Sequence, residues 1–214
     1  MEVITSHLGE YASGLWVTIQ LTLLSFALAL VIGTLVAVMR VSPVPPARTA
    51  GAFYVETVRN TPVAVLLALF VFALPKVGIR YSLFASSVIV LSAYTGAFIS
   101  EALRSGINSV SRGQAEAARS IGLTFPQTLS QVVLPQAFRT VVPPLGNLFI
   151  ALTKNTAVAE TVAVLDLLGR ADRLNTATAQ PIPVFLGAGA GYLLLTLPSG
   201  YVFGWIERKV AIKR

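Results

Sequence analysis

Cysteine is absent and histidine occurs once, as His7, so disulfide frameworks, thiolate nucleophiles, zinc clusters and Cys/His or Ser/His catalytic machinery are excluded together. Charge is also scarce. Only 12% of the 214 residues are Asp, Glu, Lys or Arg, about half the share in an average soluble domain. Against this, 55% of the residues are hydrophobic and the mean hydropathy is +0.75. A chain of this length cannot enclose that much apolar surface in a water-soluble core, and lipid is the solvent that accommodates it. No G-x-x-x-x-G-K-[ST] phosphate loop occurs, so nothing in the chain cradles ATP in that manner. The apolar runs also lack a nucleophile with a base and a set of metal ligands, which argues against an intramembrane enzyme.

What the sequence has instead is charge-free runs. A helix crossing a hydrocarbon core of ~30 Å needs about 20 apolar residues, and Tyr11–Met39, Tyr81–Ser100 and Leu174–Ile206 carry no charge at all. Asn60–Pro75 is apolar but short, and Val141–Leu165 is long enough but contains Lys154 and Glu160. Counting both, the expectation is an all-α membrane protein, one transmembrane domain over 1–214, with about five spans near 11–39, 60–75, 81–100, 141–165 and 182–206. Met1–Glu10 has no Lys or Arg ahead of the first run, which disfavours a cleaved signal peptide and leaves that span as an anchor.

Five spans put the termini on opposite sides. One side collects Arg40, Arg48, Arg59, Arg104, Arg112, Arg119, Arg139, Arg208, Lys209, Lys213 and Arg214, and the other only Lys76, Arg80, Arg170 and Arg173. Basic loops stay cytoplasmic, so the N-terminus is expected outside and the C-terminus inside. The formal charge of +7 is then a matter of membrane topology. It is not read as a nucleic-acid footprint, because no basic stripe is interleaved with exposed aromatics.

The longest internal loop, 101–140, lies on the basic side between the third and fourth spans. Gln114–Ile121 contains the helix formers Ala115, Glu116, Ala117 and Ala118, Gly122 stands where a helix C-terminal glycine is expected, and Phe125-Pro126 blocks simple continuation. After Pro126 the apolar Leu129, Val132, Val133 and Ala137 follow the spacing of a helix with one packed face, expected to end or kink at Leu134-Pro135. A short helix at the cytoplasmic tip of a membrane protein is a natural docking element for a soluble partner.

The run Glu116-Ala117-Ala118, three residues, Gly122, nine residues, Val132, one residue, Leu134-Pro135 resembles the EAA loop of the permease subunits of bacterial ATP-binding-cassette importers, in spacing as well as residue type. Tyr54–Pro62 is similar to the family's segment before its second helix, and Lys154-Asn155-Thr156 to a stretch in the fourth helix of its polar-amino-acid branch. Glu101–Asn108 with Gly113–Ser120 is most similar to glutamate-type permeases of actinobacteria, while Val132 stands where isoleucine is commoner in the motif. The resemblance covers nearly the whole chain. It implies a permease subunit, in a bacterial plasma membrane, of an importer of glutamate or related acidic or polar amino acids that works by alternating access. It further implies a cytoplasmic ATPase docked on the short helix, an extracytoplasmic amino-acid-binding protein, surrounding membrane lipid, and a second permease that is a related chain rather than an identical copy. No cofactor is implied on this chain, since ATP and Mg belong to the partner ATPase, and no nucleic acid is involved. Within the docking loop, Ala117 and Ala118 are small enough for close approach, Glu116 is available to a basic residue on the ATPase, Gly122 permits the tight reversal, and Leu134 and Pro135 complete the motif.

Ionisable residues at membrane depth are functional candidates. With helix entry near Pro143-Pro144, Lys154 lies roughly 15 Å in. Its ammonium suits an amino-acid carboxylate, with Thr153, Asn155 and Thr156 as hydrogen-bonding neighbours. The alternative is a pairing with a carboxylate or helix carbonyls of the same bundle. Glu160 lies about 240° further round the helix and is not expected to pair with Lys154. It is a candidate contact for a substrate amino group or the binding protein, or a solvated group at the outer rim. Glu56 with Arg59 and Glu101 with Arg104 are expected i,i+3 structural pairs. In the first span, Gln20 is expected to face protein ahead of Thr18 and Thr22. Gly187 with Gly191 and Gly200 with Gly204 form two G-x-x-x-G pairs on opposite sides of the fifth span, suited to close packing on two neighbours. Pro181, Pro183 and Pro198 flank or interrupt that helix. Two other functions compete with the importer reading: a membrane scaffold that only docks a cytoplasmic partner, and an importer of a different small polar solute. A mid-membrane lysine is of little use to the scaffold.

Overall fold

In the computed structural model, which describes residues 2–210, every regular element among the described residues is helical. Lys213 and Arg214, counted above with the inner side, lie outside the described residues. In chain order the elements are α1 (Glu2–Ser6), α2 (Leu8–Val41), α3 (Pro45–Arg59) and α4 (Val63–Ala68), the last continued by a π segment (Leu69–Ala73) and a 3-10 turn (Leu74–Val77). Then come α5 (Leu83–Asn108), α6 (Arg112–Ser120), α7 (Phe125–Thr128), a second π segment (Leu129–Val133), α8 (Leu134–Asn155), a 3-10 segment (Thr156–Val162), α9 (Leu167–Thr178) and α10 (Pro181–Val210). Three of these, α2, α5 and α10, are long and apolar enough to cross a membrane, and two bent pairs bring the candidate spans to as many as five.

Lipid offers no hydrophobic advantage to helix association, so close packing and hydrogen bonds must hold such a bundle. α5 supplies the centre, with small buried residues, Ser86, Ser87, Ser92, Thr95 and Gly96, alternating with Leu91 and Ile99. Ser87 and Ser92 satisfy their hydroxyls on the preceding turn, Ser87 Oγ on the Leu83 carbonyl at 2.9 Å and Ser92 Oγ on the Val88 carbonyl. α2 runs parallel to it with interlocking small residues. A Cβ at Gly33 would lie 2.6 Å from Ile99 Cγ2, and one at Gly96 would lie 3.0 Å from Ile32 Cγ2. The opposite face of α2, including Leu24, Leu28, Val31 and Leu35, is left outward for lipid or another subunit. Of Thr18, Gln20 and Thr22, the two threonines are buried, because they are four residues apart and share the face turned to the bundle. α10 is peripheral, with only Val184 and Ala188 buried.

The second apolar run becomes helical from Val63, after Pro62, and meets α3 at 102°, so α3 lies across the direction of the span. Val63–Val77 reaches only about 22 Å at 1.5 Å per residue. Its Leu67 completes a core with Leu21, Val88, Ala159 and Val162. Both π segments directly precede a Leu-Pro dipeptide, Leu74-Pro75 and Leu134-Pro135. A proline ring crowds the carbonyl four residues back, and widening the turn, as in the bond from the Leu134 N–H to the Leu129 carbonyl, gives it room without ending the helix. The stop or kink expected at Leu134-Pro135 is thus replaced by a helical path from Pro126 to Val162, with Pro143 and Pro144 inside α8 and not at its entry.

Because Gly33 faces Ile99 at contact distance, Gly33→Leu is expected to force α2 and α5 apart and cost about 1–3 kcal/mol. A fall in the thermal unfolding midpoint of the detergent-solubilised protein, against an unchanged midpoint for Gly9→Leu in open space, checks this.

Candidate functional site

At one end of the bundle, α6 is closed by Gly122 in the left-handed conformation, φ 91°. The Leu123 N–H reaches the Ala118 carbonyl at 3.1 Å and the Gly122 N–H the Arg119 carbonyl at 3.0 Å, so both orphan carbonyls of the last turn are satisfied. This fixes which face of α6 points where. Ala118, 5% exposed, faces inward, and α6 packs on the π segment Leu129–Val133. Glu116 and Ala117 point outward, as do Leu134 and Pro135. Ala118 therefore serves the loop's own packing, while Ala117 offers the small surface for an outside partner. Sequence reading passed over Ile121. It is 80% exposed at the tip of α6, and a large apolar side chain in that position, one turn after Ala117, is suited to insertion into a partner's groove.

A carboxylate knot sits just above this loop. Glu101 on α5 accepts from Arg40 at the end of α2 through one oxygen and from Arg104 through the other. Arg59 at the end of α3 stands 3.8 Å from the first oxygen and over the Phe98 ring. The expected Glu101–Arg104 pair is present. The expected Glu56–Arg59 pair is replaced by this arrangement, since Arg59 turns to the half-buried Glu101 and Glu56 stays in the open.

At membrane depth, Lys154 is exposed on this chain and has neither a hydrogen bond nor an ion pair among the described residues. The in-bundle partner weighed above is not seen. Thr140 and Asn147 are exposed on the same side of α8, fourteen and seven residues before Lys154, a spacing close to four and two whole turns, so a polar seam runs along the helix. Asn155 is half-buried, whereas Thr156 is wholly enclosed and donates to the Thr153 carbonyl at 2.9 Å. Glu160, in the 3-10 segment, lines an open cleft of about 580 Å³ with Asp172, Arg173 and Thr176.

The helical path breaks just beyond, at Ala163, which is left-handed with φ 63°. Asp166, 0% exposed, restarts it as the cap of α9: one carboxylate oxygen accepts the Gly169 N–H at 3.0 Å and the other the Tyr192 hydroxyl of α10 at 2.9 Å. From α2, Thr18 Oγ1 accepts the Leu167 N–H at 3.1 Å. A Cβ at Gly169 would lie 2.4 Å from the Val164 carbonyl oxygen, so only glycine fits that turn. Sequence reading missed Asp166; an acid in an apolar run with helix formers after it was the available signal. The G-x-x-x-G pairs also divide. Gly187 receives the Tyr11 ring and Gly191 the Leu167 side chain, while Gly200 has only ordinary contact with Ile150 and Gly204 meets no other element, so of the two pairs only the first is tightly packed within this chain; the close contact of α10 with α8 is made instead by Phe203 on Gly146.

Tyr192→Phe strands a buried carboxylate oxygen and is expected to cost roughly 1.5–3 kcal/mol. A detergent unfolding midpoint equal to wild type would show that the bond contributes nothing net.

Three comparisons bear on this arrangement. The glutamate transport system permease protein GluC of Corynebacterium glutamicum is 40% identical over 216 residues, covering 93% of each chain. The probable glutamine ABC transporter permease protein GlnM of Bacillus subtilis is 38% identical over 210 residues, covering 98% of this chain and 97% of its own. A crystal structure of an amino acid ABC transporter with histidines superposes with a TM-score of 0.92 at 30% identity over 96% of each chain. Residues 29–212 match the family described as binding-protein-dependent transport system inner membrane component. With its helical bundle, its projecting α6 and relatives that are permease subunits and not themselves enzymes, this chain belongs to the family of binding-protein-dependent transport system inner membrane components.

Proposed function

We propose that this chain works beside a second, related permease and a cytoplasmic ATPase to import glutamate or a related acidic or polar amino acid delivered by an extracytoplasmic binding protein. The observation that carries the coupling role is α6: a capped helix packed inward through Ala118, with Glu116, Ala117 and Ile121 left facing outward. ATP and its Mg are held by the partner ATPase, consistent with the missing phosphate loop. Closure of that ATPase would draw α6 inward, and α6 bears on the π segment leading into α8. The N-terminus is assigned outside and the C-terminus inside, by the distribution of basic residues. Lys154, with Asn155 beside it, is assigned to the solute pathway, where an ammonium without a partner among the described residues can meet a carboxylate. Glu160, in the outer cleft, is assigned to the entry side. Thr156 acts from inside the chain by holding this stretch in place. The relative named for glutamine, 38% identical, favours a second reading in which the neutral amide amino acid is carried. A scaffold without transport has no use for the exposed Lys154.

Reconstitution of the full assembly in liposomes, comparing glutamate, glutamine and a basic amino acid, distinguishes the readings by which loaded binding protein stimulates ATP hydrolysis. Glu116→Lys is expected to abolish that stimulation while membrane insertion is unchanged, and undiminished stimulation would remove the coupling role. Lys154→Ala is expected to slow uptake on the order of tenfold, equivalent to about 1.4 kcal/mol. A normal rate at normal expression would take Lys154 out of the pathway.

A further inference from the structure

The inner edge of α3 carries more positive charge than this chain neutralises. Arg40, Arg59 and Arg104 share the single carboxylate of Glu101. Arg40 is nearly enclosed and committed, whereas the Arg59 and Arg104 side chains are 38% and 34% exposed, and Arg104 Nε is enclosed without a partner. Arg48 lies eleven residues before Arg59, three turns of helix, so both arginines occupy one flank of α3.

The orientation of that flank follows from two contacts. Tyr54 reaches toward the middle of the bundle to donate to the Ala93 carbonyl, and Gly51 rests on Arg40 at the inner end of α2. Going round α3 from Tyr54 to Gly51 therefore leads from the membrane interior to its inner surface, and the next positions in that sense are Arg48 and Arg59. On the opposite flank Phe53 is 71% exposed. A helix lying across the span direction, apolar toward the bilayer and basic toward its surface, has the geometry of an interfacial helix.

We infer that the flank of α3 carrying Arg48 and Arg59 binds anionic phospholipid of the inner leaflet, one phosphate at Arg48 and another at Arg59 with the free edge of Arg104, the two positions standing about 16 Å apart and the acyl chains passing beside Phe53. Guanidinium groups match phosphate oxygens in pairs. The unneutralised charge of the knot selects anionic headgroups over zwitterionic ones. The leaflet assigned rests on the orientation proposed above, but the binding itself does not.

The test uses the assembled transporter in nanodiscs, where both faces are accessible, so an inverted orientation would not mimic loss of binding. Phosphatidylglycerol retained against phosphatidylcholine is counted by native mass spectrometry. Wild type is expected to retain the anionic lipid, Arg48→Gln to lower retention about fivefold, and Arg48→Gln with Arg59→Gln to lower it further. Arg48 is outside the knot, so its variant keeps the test independent of folding. Equal retention of both lipids, or displacement of phosphatidylglycerol by millimolar inorganic phosphate, would overturn the lipid assignment. So would unchanged retention accompanied by loss of a partner subunit from the Arg48→Gln assembly, which would place a protein carboxylate there instead.

Discussion

Inside hydrocarbon every backbone N–H and C=O must find a partner within the protein, and this requirement shapes the chain wherever a helix stops being a helix. The break at 163–166 is the clearest case. Leaving the helix frees the N–H groups at the start of α9, and three elements supply what water would supply elsewhere: Asp166 from the break itself, Thr18 from α2 and, by fixing Asp166, Tyr192 from α10. The interruption and the packing around it are therefore one feature, because the groups that satisfy the break also staple α2, α9 and α10 together. The π segments answer the same requirement differently, by stretching the ladder around a proline.

These two solutions divide the molecule mechanically. α2 and α5 interlock through Gly33 and Gly96 and offer little freedom to slide. Gly106 closes the contact between α5 and α8, where a Cβ would lie 2.2 Å from Val141 Cγ2. Movement imposed on α6 consequently enters a stiff frame near Gly106 and is relieved where the ladder is already interrupted, at the π segment before Leu134-Pro135 and at Ala163. The seam of Thr140, Asn147 and Lys154 lies along α8, between those two places.

Much of this was legible in the sequence, and the reasons for the rest are physical. Charge-free runs mark α2, α5 and α10 because lipid tolerates little charge at depth, and the glycine after Glu-Ala-Ala fixes the end of α6 because its φ is positive. Leu134-Pro135, where an end or a kink is expected, instead carries the helix through a π segment, because proline rules describe an α ladder and a π turn changes the ladder. Arg59 chose Glu101 over Glu56 because a half-buried carboxylate on another helix competes better than a neighbour in the open, and such a contact cannot be seen along the chain. Asp166 escaped because composition weighs the whole run, whereas its role depends on α2 and α10 arriving at the same place. The side of α2 that turns inward was recoverable from the four-residue spacing of Thr18 and Thr22, had that spacing been weighed above the longer polar reach of Gln20.

The reach of Val63–Val77 has a consequence for how the chain is made. About 22 Å of helix does not match a hydrocarbon core of ~30 Å, so this segment gains little by entering the bilayer alone. Its Leu67 finds its place only against Leu21, Val88 and Val162, two of which have not yet been synthesised when it leaves the ribosome. A segment of this reach is therefore held by its neighbours and not by lipid, and Gly78, with its positive φ, turns the chain back so that α5 stands beside it.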